Sequence, residues 1–242
     1  VRYEAIRSLR KIGDASAAKE LMNYIGYNDA KIRNEAVYTI GRLRHAAALP
    51  ELTRLFEKEN ALPRKQIDKI YRATLLEAIA FLADSSSKEL LFKEKQNPDD
   101  LLRLYAVSGL ARIGDASMVT DVSRDRLHEK DPKIRTAQAY ALYRMGRKEF
   151  LDELVNALGS RKTNQEARQY LLEFGSGDLP DLYGQLKNQD VNVREGLAEV
   201  IGFIGDSTAI VHLQELGQDR RGEIQALANQ AMRRINARSA HP

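Results

Sequence analysis

The chain has 242 residues, 43% apolar and 30% charged, with a net charge of +4 from 38 Lys and Arg against 34 Asp and Glu. That balance suits a folded protein with a sizeable core, and so small a surplus of cations is not in itself evidence for nucleic acid. The lack of cysteine excludes disulfides, thiol catalysis and cysteine-ligated metal sites, and six prolines with fifteen glycines leave little of the turn chemistry of an all-β protein.

In chain order, one pattern recurs. Arg103 is followed by Ala106, Leu110, Ile113, Gly114 and Asp115, and near copies start at Arg2 and Arg194. The anchor position falls at Arg2, Arg33, Arg72, Arg103, Arg135, Asn164, Arg194 and Gln225, at intervals of 31, 39, 31, 32, 29, 30 and 31 residues. A fixed period of this size predicts a single repeat domain over 1–242. Within each copy Ala36, Ile40 and Leu43, or Leu197, Ile201 and Ile204, share one helix stripe. Glycines 13, 114 and 205, with Gly146 and Gly175, are expected to end those helices in the left-handed conformation, and the Asp or Ser that follows to cap a second helix. The second helices have their own stripes, such as Ala18, Leu21 and Ile25 or Leu49, Leu52 and Phe56. One such pair cannot cover its apolar faces, so neighbours must stack.

Asp29, Asp68, Asp99, Asp131 and Asp190 lie four residues before their anchors, where each caps a first helix and the following Arg bonds that Asp or the next unit's. These arginines read as structural. The pattern Asp-x-x-x-Arg-x-x-Ala-x-x-x-Leu-x-x-Ile-Gly-Asp resembles HEAT repeats, in the short variety of the phycobilisome lyase subunits. The resemblance implies an all-α, right-handed α-solenoid of seven helix pairs plus a terminal helix, with second helices on the concave side. It also implies an interaction scaffold.

Three places depart from the rule. The interval from Arg33 to Arg72 carries an insertion around Glu57–Gln66, with Pro63, Arg64 and Lys65 at its edge, either a tolerated excursion or a binding edge. The copy at Asn164 lacks the Arg and the Asp cap and turns at Gly175-Ser176-Gly177-Asp178, which marks a hinge or a change of curvature and is no phosphate loop. The last copy has a first helix, with Arg233, Arg234 and Arg238, and a tail from Ser239 to Pro242 expected to fray. The chain starts at Val1 inside a copy, as a piece trimmed from a longer chain would.

Little points to chemistry. His45, His128, His212 and His241 occupy unlike positions, and His128-Glu129 is one His-Glu pair where the HEAT-type deoxyhypusine hydroxylases use several for iron. No metal, cofactor or catalytic residue is expected. The acids of Asp99-Asp100 and Asp152-Glu153 suit helix starts, and the lack of Trp weakens a likeness to alkylpurine DNA glycosylases. No apolar run is long enough to span a bilayer, so no membrane insertion is expected.

What remains is a column ten residues after each glycine position: Asn23, Arg54, Lys93, Arg124, Asn156, Gln185 and Glu215, with Arg126 nearby. The expectation is a non-enzymatic protein–protein interaction scaffold whose concave face takes an acidic partner through Arg54, Lys93, Arg124, Arg126, Asn23 and Asn156. Two alternatives stay open. The repeat subtype suggests an accessory subunit of a bilin lyase or other maturation enzyme, and the basic column could bind nucleic acid, although nearby acids interrupt it.

Overall fold

A computed structural model describes residues 1–240; His241 and Pro242, the end of the expected frayed tail, lie outside the described residues. Among the described residues there are fifteen α-helices joined by short turns, many of them 3-10, and no strand. The chain divides into two compact units, Val1–Thr120 and Asp121–Pro242.

In the first unit the first helices of successive copies are α1 (Arg2–Ile12), α3 (Ala30–Arg42), α5 (Lys69–Leu82) and α7 (Asp100–Ile113). The second helices are α2 (Ala18–Leu21), α4 (Leu49–Asn60) and α6 (Lys88–Glu94). α1 packs on α3, α3 on α5 and α5 on α7, while α2, α4 and α6 each lean on the first helix that follows. α8 (Val119–Arg126) falls mostly in the second unit, which continues with α9 (Pro132–Arg144), α10 (Leu151–Asn156), α11 (Asn164–Leu171) and α12 (Leu179–Tyr183). It ends with α13 (Val191–Ile204), α14 (Ile210–Leu216) and α15 (Gly222–Ser239), α15 lying against α13 and α14. Seven pairs and a terminal helix are therefore present among the described residues.

The capping reading holds at all five aspartates predicted to cap first helices, whereas Ser176 makes no capping bond among the described residues and Asp178 accepts the Gly175 amide at 3.0 Å. Asp29 accepts the Lys31 and Ile32 amides at 2.9 and 3.2 Å, Asp68 those of Ile70 and Tyr71, and Asp99, Asp131 and Asp190 do the same for α7, α9 and α13. Each such cap contributes about 1 kcal/mol. The anchor arginines reach forward to the next acid: Arg33 to Asp68 at 2.6 Å, Arg72 to Asp99 at 3.5 Å and Arg194 to Asp219 at 3.0 Å.

The glycine rule is narrower than the sequence suggests. Gly13, Gly114 and Gly146 are left-handed, with φ of 78°, 66° and 93°, but Gly175 and Gly205 have negative φ and extended ψ. At Gly205 the reason for glycine is space, since a Cβ there would meet the Ile201 carbonyl oxygen at 2.5 Å. Arg44 stands where other copies have glycine and takes φ 56°, a conformation costing about 1–2 kcal/mol for a side-chain-bearing residue. Its Nη1 donates to Phe81 O at 2.8 Å, which helps hold it there. The second segments also begin as 3-10 turns rather than α-helix, and four are opened by an Asp cap: Asp14 on Ser16, Asp84 on Ser86, Asp115 on Ser117 and Asp206 on Thr208.

The tail differs from expectation as well. Ser239 belongs to α15, and Arg238 anchors that end by donating to Gly202 O at 2.8 Å and Gly205 O at 2.6 Å.

The copy at Asn164 has a first helix of only eight residues, and Thr163 gives it no side-chain cap. Ring stacks join this copy to the one before it, beside the Lys133–Glu166 ion pair at 2.7 Å. Tyr140 stacks on Tyr170 with centroids 4.6 Å apart, and Tyr143 on Phe174 at 4.9 Å, both nearly parallel. The short helix also lets α13 reach past it: a Cβ on Gly196 would lie 3.2 Å from Leu158, one copy further back. Here modules touch across an intervening one, an exception to strict neighbour stacking.

Candidate interaction surface

The outward residues of the second segments form the candidate surface, and the two units carry separate parts of it. In the first unit Asn23, Arg54 and Lys93 are exposed. Arg54 is 60% exposed, but its Nε and Nη2 donate to Glu51 at 2.8 and 2.6 Å, and this bidentate pair holds the Glu51 carboxyl below its usual range. α4 and α6 bound an open groove of about 500 Å³ whose lining includes Phe56, Glu57, Glu89, Leu90 and Lys93. Its charge is mixed, with more acids than bases.

In the second unit Arg124 and Asn156 are exposed. Arg124 pairs with Asp121 one turn away, Asn156 accepts from Asn188 Nδ2 at 2.8 Å, Gln185 donates to Asp152 at 2.6 Å, and Glu215 pairs with Lys187 at 3.4 Å. Arg126 does not belong to this surface. Its side chain is 10% exposed; it donates to the Arg135 carbonyl at 2.8 Å, pairs with Glu153 and lies over the Phe150 ring. An arginine two residues after an outward position on a helix turns toward the core, which is why the expected cation is internal.

The inserted residues take two forms. Part lengthens α4 to twelve residues, and the rest is the loop of Pro63, Arg64 and Lys65, all exposed. The loop is held by Glu59 Oε1, which accepts the Asp68 amide at 2.6 Å, and by the Gln66 amide donating to Pro63 O at 2.7 Å. Beside it a cleft of about 490 Å³ is lined by Arg64, Lys65, Lys69 and Arg72 on one side and Asn97, Pro98 and Asp99 on the other. Sequence reasoning found the loop but not Lys69, which has no distinguishing pattern, nor the cleft, which needs the next copy's Asn97–Asp99 turn.

The histidines are scattered. His212 stacks on Tyr183 at 4.2 Å and lines a shallow depression of about 350 Å³ with Arg194, Glu215 and Asp219. His45 precedes a 3-10 turn and His128 is exposed. Among the described residues no three His, Asp or Glu side chains converge as metal ligands. Asp99 caps α7 while Asp100 pairs with Arg103 at 2.7 Å. No helix among the described residues is long and apolar enough to cross a membrane.

A model of the HEAT repeats family matches residues 1–68, the stretch carrying the anchors Arg2 and Arg33. No curated protein matches the chain. Two solved structures are similar at low identity. Human deoxyhypusine hydroxylase in complex with glycerol is 18% identical, with 97% of this chain and 90% of that one covered and a TM-score of 0.38. An engineered protein is 19% identical, with 91% and 96% covered and a TM-score of 0.34.

Proposed function

We propose, from a chain whose first 68 residues match HEAT repeats, that the protein is a non-enzymatic interaction module binding a protein partner on the outward side of its second helices. The observation carrying this reading is the α4–α6 groove, where half-buried Leu90 and exposed Ala61 lie among Glu57, Glu89 and Lys93 in an open trough. Apolar side chains framed by charges of both signs suit a protein surface, with the apolar part supplying affinity and the charges fixing register.

The pairs Glu51–Arg54 and Asp121–Arg124 neutralise two of the three cations in the column. The partner for this face is therefore one of mixed charge rather than a strongly acidic one. The test is affinity capture with the intact chain and with Arg54→Glu/Lys93→Glu/Arg124→Glu, followed by mass spectrometry. Loss of specific partners from the folded triple variant supports the surface, and unchanged recovery removes it.

A further inference from the structure

The anchor arginines differ in how their guanidinium groups are satisfied. Arg33, Arg103 and Arg194 each donate through Nη1 to the carbonyl six residues upstream: Tyr27 at 3.4 Å, Asn97 at 2.9 Å and Asn188 at 2.7 Å. Arg72, after the insertion, makes no such bond among the described residues, and Arg135 donates instead to Arg126 O at 3.3 Å. The Arg72 side chain donates to Asn60 Oδ1 at 3.3 Å and Asp99 Oδ2 at 3.5 Å, both longer than the roughly 2.7–2.9 Å usual for charge-assisted hydrogen bonds.

Arg72 lines the 490 Å³ cleft together with Arg64, Lys65 and Lys69, and Asp99 is the single acid of that lining. Arg64, Lys65 and Lys69 are exposed, and none makes an ion pair among the described residues. The Glu59 and Pro63 hydrogen bonds already hold the loop in place, so a ligand need not order it on binding.

We propose that this cleft takes an acidic peptide segment of a protein partner, its carboxylates meeting Arg64, Lys65 and Lys69, with the Arg72 guanidinium in the same lining. The proposal rests on the reading of the chain as a protein-binding module and names the chemistry of what it binds. Ile67 and Pro98 complete the lining and suit peptide side chains, whereas a single strand of nucleic acid stacks its bases on aromatic faces.

The test is fluorescence anisotropy with a fluorescein-labelled hexaglutamate peptide. The proteins are the intact chain, Arg64→Glu/Lys65→Glu, and the charge-matched control Arg161→Glu/Lys162→Glu at an exposed loop of the second unit, all checked for folding by circular dichroism. The expected result is binding to the intact chain and the control alike, about tenfold or more weaker binding to the first variant, and none of a hexaglutamine peptide. Equal weakening in both variants, or weakening in neither, overturns the proposal, as does no binding to the intact chain. So does a twelve-nucleotide single-stranded DNA that binds more tightly than the peptide and is lost with the same variant. Affinity capture separates this from the broader reading: partners recovered equally by the intact chain and the Arg64/Lys65 variant overturn the cleft and leave the module standing.

Discussion

The Tyr140 and Tyr170 rings lie 4.6 Å apart and 8° from parallel, joining two copies at the place where the arginine and its capping aspartate are missing. The helices that carry them are also joined by an ion pair, Lys133 to Glu166 at 2.7 Å, and unlike that pair the ring contact depends little on salt because it rests on dispersion and burial. A double-mutant cycle on Tyr140→Leu and Tyr170→Leu should give a coupling of about 0.5–1.5 kcal/mol in urea unfolding. The same coupling should persist in high salt; additive losses would show that the stack contributes nothing beyond area.

The rung from Arg33 to Asp68 allows charge and cap to be separated, because Asp68 serves both. Asp68→Asn keeps a capping oxygen and loses the ion pair, whereas Asp68→Ala loses both. The alanine variant should therefore be less stable than the asparagine variant by about 1 kcal/mol. Adding Arg33→Ala to each should leave that gap unchanged. If the gap closes, the cap and the rung are not independent.

Gly41 is a contact point rather than a flexible one. A Cβ there would lie 2.8 Å from Ala78 Cα and 3.0 Å from its Cβ, where α3 crosses α5 and no flexible side-chain end can yield. Gly41→Ala should cost about 1–3 kcal/mol of stability. Gly184, in helical conformation with open space around it, is the control, and alanine there should be neutral or stabilising by up to about 1 kcal/mol. Equal effects at the two sites would refute close packing as the cause.

Lys88 bonds the Asp115 carboxylate of the next turn, and with the Ser117 amide and hydroxyl it holds that carboxyl down at about 2. The folded value lies below the unfolded one of about 3.9, so the contribution to stability is complete above about pH 4 and is lost as pH falls through about 2. Asp115→Asn should flatten the stability–pH curve in that window and leave its shape above pH 5 unchanged. An unaltered acid limb in thermal melts would show that the pair is not coupled to folding.

What the sequence determined by itself was the repeating helix starts and helix faces. Helix starts depend on an Asp within hydrogen-bond reach of the next amides, and helix faces on apolar residues three and four apart, so Asp29, Asp131 or the Ala36–Ile40–Leu43 stripe could be read from spacing alone. The rungs were legible as a choice between two partners, and packing selected the next unit's acid at Arg33, Arg72 and Arg194. The tertiary structure alone decided which cations are available. Arg54, Arg124 and Arg126 look alike in the chain, yet two are neutralised on the surface by an acid one turn away, and the third is buried against Phe150 and Glu153. It also decided that Arg72 lacks its carbonyl and faces a cleft, because that depends on where an insertion of irregular length places its atoms against the following copy. Periodicity records what each copy shares; the geometry of a single interruption is set by packing, which no spacing rule encodes.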